Sequence, residues 1–339
     1  MSATWGDLNA RARGLATHLA SRATLKELAQ LPDLVTLSRE CAATGVIPSE
    51  PEQAAPFALE LAFRRTTARN LRLLVRWMGP RTEALRFVLE DEDRRSLRAL
   101  LRGAAAGVAA ETRLAGLIPT PSLPERLLEV LARQPHCGDV VALLVAWRHP
   151  YGPPLLAAVA SDPPDLYKLE CELNRTFALR ATRGARRGGR ALRAYVQEFI
   201  DLENLRGGLV LAANELELSP DAAFLPGGRR LPLARFRAAA KTRNLLQAAD
   251  RLAEGFSESE PARLARRHAT DPRALEEALL RYRGTQLREQ ARLDPLGPAP
   301  LLWYLFRLRM QSATLGRLLW GTALGVPPAL RRDSLAEVA

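Results

Sequence analysis

The residues able to do chemistry are few, and their spacing does not suit it. A phosphate-cradling loop of the Walker type needs Gly immediately before Lys, because one turn must deliver both backbone amides and an ammonium. The three lysines, Lys26, Lys168 and Lys241, follow Leu25, Tyr167 and Ala240. The four histidines, His18, His136, His149 and His268, show no HxxxH spacing. Cys41, Cys137 and Cys171 lie 96 and 34 residues apart with no CxxC pair, so neither a disulfide framework nor a zinc site is expected. His136 and Cys137 are neighbours, but two adjacent residues do not build a tetrahedral shell. No GxSxG elbow occurs, and no cysteine sits in a nucleophile context. The reading is a chain with no catalytic, cofactor or metal site.

The remaining polar signal is one acid that recurs. Asp93, in Glu92-Asp93-Arg94-Arg95-Ser96-Leu97-Arg98, is matched by Asp201 in Ile200-Asp201-Leu202-Glu203-Asn204-Leu205-Arg206. A weaker copy reads Met310-Gln311-Ser312-Ala313-Thr314-Leu315-Gly316. Asp93, Asp201 and Gln311 stand 108 and 110 residues apart in a chain of 339, close to one third of its length. On a helix, positions i and i+3 share a face and i+5 lies well round from i. Asp201 and Asn204 therefore point together while Arg206 points elsewhere, and Asp93, Ser96 and Arg98 follow suit. An acid facing a core must find partners or cost several kcal/mol. Recurring once per unit, it reads as a clasp between helices rather than a partner-binding acid on an axis.

The elements that must position these residues repeat as well. Leu59-Glu60, Glu172-Leu173 and Leu275-Glu276-Glu277 each open an amphipathic helical pattern upstream of an anchor. Downstream, Ile118-Pro119 through Leu123-Pro124 matches Leu225-Pro226 through Leu231-Pro232. Two short helical patterns follow each proline motif, at 123–133 with 140–148 and at 231–240 with 245–254. The N-terminus offers the same pair at 25–31 and 34–43. The spacing thus predicts three similar helical lobes around a pseudo-threefold axis. Residues 55–165 form the first and 166–270 the second. Residues 271–339 form the third, completed by the N-terminal helices of 1–54. A ring closed in this way leaves no apolar end-face to cap.

Composition agrees with an all-α fold. Only Ile47, Ile118 and Ile200 are isoleucine, whereas Leu, Ala and Arg recur throughout, and straight-chain residues keep their freedom best in helices. The apolar runs at 139–147 and 301–306 fall far short of the 18 or so residues a bilayer span needs. Residues 1–14 carry no apolar run of the signal-peptide type, so a cytosolic chain is expected. The formal charge of +12 permits nucleic acid, anionic lipid or an acidic protein partner, and does not choose among them. The run Arg183-Gly-Ala-Arg-Arg-Gly-Gly-Arg190 reads as a solvated loop between two helical patterns rather than an RNA-binding segment.

With the repeat laid out, the chain resembles the C-subunit family of A/V-type rotary ATPases, whose eukaryotic V-ATPase equivalent is the d subunit. The resemblance rests on Asn9-Ala-Arg-Ala-Arg13-Gly14, on the helices at 93–98 and 201–206, on Leu225-Pro226-Gly227-Gly228, and on Gly321-Thr-Ala-Leu-Gly325-Val-Pro327. It implies a funnel-like socket in the central stalk, without an active site. That socket links the rotor-shaft subunits of the soluble head to the membrane proteolipid ring, and couples ATP hydrolysis or synthesis to proton (or sodium) transport. It also implies a peripheral location on the cytoplasmic face of the membrane, where positive charge could meet anionic lipid or acidic ring loops. Gln311 and Gly316 depart from the family pattern, which has an acid and an Arg there. A basic helical module for nucleic acid finds support only in the charge and the 183–190 run, so no nucleic acid is expected. A helical scaffold of the solenoid type would repeat every 34 to 47 residues, not every 110 or so.

Overall fold

The computed structural model describes residues 5–160, 165–214, 218–333 and 335. The first four residues, the approach to the expected 165/166 boundary and the last four residues lie outside the described part. Every regular element among the described residues is a helix. Three short ones come first: α1 (Gly6–Ala16), α2 (Arg22–Leu28) and α3 (Leu34–Ala43). A long pair follows, α4 (Pro56–Met78) and α5 (Arg86–Ala105). Behind it stand α6 (Ala110–Arg113), α7 (Glu125–Ala132), α8 (Cys137–Ala146) and α9 (Gly152–Ala158). The same order returns with the long α10 (Leu166–Ala185) and α11 (Gly189–Ala212). After them come α12 (Pro220–Ala223), α13 (Leu233–Ala240), α14 (Leu245–Ala253) and α15 (Glu260–Arg267). A third long pair, α16 (Pro272–Leu293) and α17 (Ala299–Ala323), precedes α18 (Pro328–Asp333).

Local chemistry sets the boundaries. Ser21, Asp33, Asp165, Asn244 and Asp271 cap α2, α3, α10, α14 and α16 by accepting amides of the first turn, each worth about 1 kcal/mol. Pro56 and Pro272 open the first and third long pairs, where a missing N–H costs nothing. Two expectations need correction. The short helices α9 and α15 make each set one member longer than the pairs expected from sequence. Both are under three turns and open on proline (Pro153 and Pro154, Pro261), which reads as a break in a helical pattern although the first turn tolerates it. The run at 183–190 is largely helical: α10 continues through Arg183 and Gly184 to Ala185, and a 3-10 turn at Arg186–Gly188 leads into α11. Arg and Ala are strong helix formers, and only Gly189, at φ +87°, breaks the run.

The long helices contact one another in sequence: α5 lies against α10, α11 against α16, and α17 against α4. The N-terminal helices join the last of these contacts, α1 packing on both α17 and α4 and α3 on α17. Asn9 Nδ2 donates to the carbonyls of Pro295 (3.0 Å) and Gly297 (2.8 Å), and Arg331 Nη2 donates to that of Leu31 at 2.8 Å. The apolar interior forms three clusters. The largest joins α1, α4, α5 and α7–α9 to α10, α11, α16 and α17. A second unites α11 with α13–α16. In the third, Leu28, Leu37, Cys41, Val46 and Ile47 meet Leu59 and Phe63 of α4 and Leu315, Leu318 and Leu319 of α17.

Candidate functional site

The second helix of each long pair, α5, α11 and α17, contributes charge to one shared cluster. Arg94, 1% exposed, donates through Nη2 to Asp91 Oδ1 at 2.6 Å and through Nη1 to Asn174 Oδ1 of α10 at 2.9 Å. Its Nη1 also lies 3.6 Å from Glu203 Oε2 of α11. The guanidinium sits over the Phe177 ring, 4.6 Å from its centroid, so an apolar face covers what the acids leave bare. Arg95 Nε donates to Asp91 Oδ2 at 2.9 Å, and Arg309 of α17 pairs with Glu92. Arg98 joins the edge, donating to Asn174 Oδ1 at 2.5 Å with Glu170 3.9 Å away.

Arg94, Arg95, Arg98 and Arg309 thus face Asp91, Glu92, Glu170 and Glu203, and at the margin Arg102 pairs with Glu170 at 2.5 Å and Arg206 lies 3.9 Å from Glu203. Burial works against the Asp91 carboxylate, yet Arg95, Arg94 and Arg309 together hold its pKa below the ordinary range. Glu203 is likewise kept low, Arg94, Arg206 and Arg95 outweighing its burial. Burial, reinforced by Arg94, pulls Arg98 down to about 10. Such a cluster fixes three helices relative to one another; removing one member leaves a buried charge uncompensated. The repeat singles out only Asp93, Ser96 and Arg98 in this stretch, because a run of mixed charge on one helix looks like a solvated face.

The recurring acids face the other way, toward the loops before the short helices. Asp93, buried, accepts the hydroxyls of Thr120 and Ser122, just ahead of α7. Asp201 accepts the amides of Arg229 and Arg230 at 2.9 Å each and that of Leu231 at 3.2 Å, just ahead of α13. Gln311 Oε1 accepts the Ala20 amide at 2.6 Å, just ahead of α2. Asn204 exchanges two hydrogen bonds with the Leu225 backbone, at 2.9 and 2.8 Å, so it fastens the Leu225-Pro226 turn itself. Ser96 is buried on the same face as Asp93, and the Thr314 hydroxyl accepts Arg317 Nη2 at 3.4 Å. The glycines of the Leu-Pro-Gly-Gly turn answer a close approach. A Cβ on Gly228 would stand 2.2 Å from Asp201 Oδ1, and Gly227 holds φ +108°.

The motif arginines reach outward to the first helix of the next pair. Arg98 meets Glu170 and Asn174 of α10, and Arg206 Nη1 donates to Glu276 Oε2 of α16 at 3.2 Å. On α17 Gly316 has no side chain to offer, and one turn further on Trp320 Nε1 donates to Glu60 Oε2 of α4 at 2.9 Å. Glu60 also accepts the Gly116 amide. Arg206 is therefore turned away from Asp201 and Asn204.

The three cysteines are buried and unpaired, and burial raises the Cys41 thiol to about 12. Among the described residues no group of three or more His, Cys, Asp or Glu side chains could hold a metal ion. Among the same residues no helix is long and apolar enough to cross a membrane.

Comparison with known proteins places this geometry. The family model of the ATP synthase (C/AC39) subunit matches residues 8–333. The V-type ATP synthase C subunit from one strain of Thermus thermophilus is 30% identical over 280 residues, covering 80% of each chain. Its counterpart from a second strain of that species is 34% identical over 185 residues, 52% of this chain and 54% of that one. The A-type ATP synthase C subunit of Haloquadratum walsbyi is 24% identical over 317 residues, covering 90% of this chain and 88% of its own. The chain belongs to the ATP synthase C/AC39 subunit family, whose members are non-catalytic subunits of rotary ATPases.

Proposed function

We propose that this chain is a central-stalk subunit of an A/V-type rotary ATPase. Three similar lobes, 55–165, 166–270 and 271–339 with 1–54 completing the third, surround a pseudo-threefold axis and form a funnel-like socket. The socket receives the rotor-shaft subunits of the soluble head, and its opposite side meets the membrane proteolipid ring. Torque then passes between head and ring, coupling ATP hydrolysis or synthesis to proton (or sodium) transport. The chain sits on the cytoplasmic face of the membrane as a peripheral part of the complex. Its positive charge faces anionic lipid or acidic ring loops.

The observation that carries the reading is the circuit of long-helix contacts, α5 to α10, α11 to α16 and α17 back to α4, with Gln311 and Ala20 fastening the N-terminal helices to the last pair. A part that transmits torque must be stiff, and close-packed helical interiors have low compressibility. The ionic cluster among α5, α11 and α17 adds directional bonds to that stiffness. The test is a reconstituted complex with and without this subunit, read by ATP turnover and by ion uptake into vesicles. Without it, the head keeps hydrolysing ATP while ion uptake disappears. Uptake at normal yield in its absence overturns the proposal.

A further inference from the structure

One end of the molecule gathers the tips of the long pairs. The 3-10 turn Gly79–Leu85 touches the turn at Arg186–Gly188. Helix α1 bridges the first and third tips: Asp7 takes a bidentate pair from Arg81, at 2.8 and 2.6 Å, while Asn9 holds Pro295 and Gly297. Beside the third tip lies a groove of about 530 Å³, lined by Arg13 of α1, Arg288 and Arg292 of α16, and Trp303, Tyr304 and Arg307 of α17. No acid lines it among the described residues, and among them Arg13, Arg292 and Arg307 make no ion pair. The chain carries 49 Lys and Arg against 37 Asp and Glu, and this groove gathers part of that surplus where an outside anion can reach it.

Two further observations say what kind. Tyr304 is 2% exposed, lines the groove, and its hydroxyl has no hydrogen-bond partner among the described residues. Burial keeps that phenol protonated through the physiological range, so it stands as a spare donor beside the arginines. At the same tip Leu293 and Leu296 are 85% and 71% exposed, directly after Arg292. A soluble phosphate would have no use for bare leucines. A lipid surface uses both, the arginines on phosphate and the aliphatic side chains in the interface.

We propose that this end docks on an anionic phospholipid surface, with the groove taking a headgroup phosphate and Leu293 and Leu296 entering the interface. The inference deepens the proposed placement at the membrane, and is tested on the isolated chain so that its failure leaves the coupling role standing. The purified protein is co-sedimented with phosphatidylcholine vesicles, and with vesicles of phosphatidylcholine and phosphatidylglycerol at roughly three to one. It binds the mixed vesicles and not the neutral ones, and binding weakens as salt rises. Arg292→Gln, at an exposed position, lowers partition about fivefold, and R292Q/R307Q lowers it further. L293S/L296S lowers it without changing the salt slope, while Tyr304→Phe, which keeps the ring, weakens it by a smaller factor. Absence of binding to the mixed vesicles, or equal binding by Arg292→Gln and the parent, overturns the proposal. So does an intrinsic-fluorescence response to inorganic phosphate that Arg292→Gln abolishes while the vesicles stay unbound, which would make the groove a site for a soluble anion.

Discussion

The side-chain carbonyl of Gln311 accepts the backbone N–H of Ala20 at 2.6 Å, across 291 positions of sequence. Asp93 and Asp201 do the same work over 27 to 30 positions, each fixing the loop just before a short helix. The three clasps differ in what they accept: two hydroxyls, three amides and one amide. Three converging amides at Asp201 call for an acid, because a carboxylate offers about four lone-pair sites and a primary amide oxygen two, whereas the hydroxyls at Asp93 can accept as well as donate. Glutamine is enough for Ala20.

Asp201 therefore carries more of the fold than Gln311. Asp201→Ala removes the acceptor of three backbone amides from a site 1% exposed and should cost about 3 kcal/mol. Asp201→Asn keeps one oxygen and should cost about half as much. Gln311→Leu should cost about 1 kcal/mol. Urea unfolding followed by circular dichroism orders the three variants. If Asp201→Ala unfolds at the parent's midpoint yet weakens binding to a rotor shaft, the acid is an interface residue and not a clasp.

Asp93 makes stability depend on pH. Burial pushes its carboxyl up to about 7, against the hydroxyls of Ser122 and Thr120, and Glu90 and Glu92 push in the same direction. The folded state then holds this proton more tightly than the unfolded chain, whose value is 3.8. Its contribution is complete below the unfolded value and is lost as pH rises toward 7, by at most about 1.4 kcal/mol per pH unit. Asp93→Asn, which imitates the protonated acid, should gain on the parent between pH 4 and pH 7. A constant difference between the two unfolding midpoints across that range refutes the assignment.

Arg94 should be the most costly residue of the ionic cluster to shorten. Arg94→Ala leaves Asp91 and Glu203 short of a partner and uncovers the Phe177 face, for roughly 3–5 kcal/mol. D91A/R94A should cost less than the sum of its single variants, with a coupling of about 1–3 kcal/mol. Additive losses in denaturant titrations would mean that the two side chains act independently.

Gly228 has no room for a side chain. Gly228→Ala places a Cβ against Asp201 Oδ1 and should cost about 2 kcal/mol. In an Asp201→Ala background the obstruction is gone, so the same substitution should then cost far less. Thermal melts of the four proteins measure that difference.

Much of the fold is legible in the sequence because its signals are local and periodic. The short pair read at 231–240 and 245–254 is α13 and α14, and the pair at 25–31 and 34–43 overlaps α2 and α3. Asp93, Asp201 and Gln311 stand out by spacing alone, and each holds a loop. The cluster of Asp91, Arg94, Glu203 and Arg309 is hidden because its partners lie on helices about a hundred residues apart. Nothing in the order of charges along α5 distinguishes a face turned to water from one turned to α11 and α17. The run at 183–190 looks like a loop since glycine suggests a break wherever it stands. Gly184 sits within α10 and only Gly189 turns the chain.

The circuit of long helices also sets a timetable for the chain as it is made. The core face of α3 is completed by Leu315, Leu318 and Leu319 of α17, which leave the ribosome after nearly three hundred further residues. At about 5–20 residues per second that wait lasts roughly 15–60 s. Until then Leu28, Leu37 and Cys41 have only α4 to lean on, and their remaining apolar surface faces solvent. A nascent chain of this kind is a natural client for holdase chaperones, and ribosome profiling of chaperone-bound chains should show occupancy beginning early and ending once α17 has emerged.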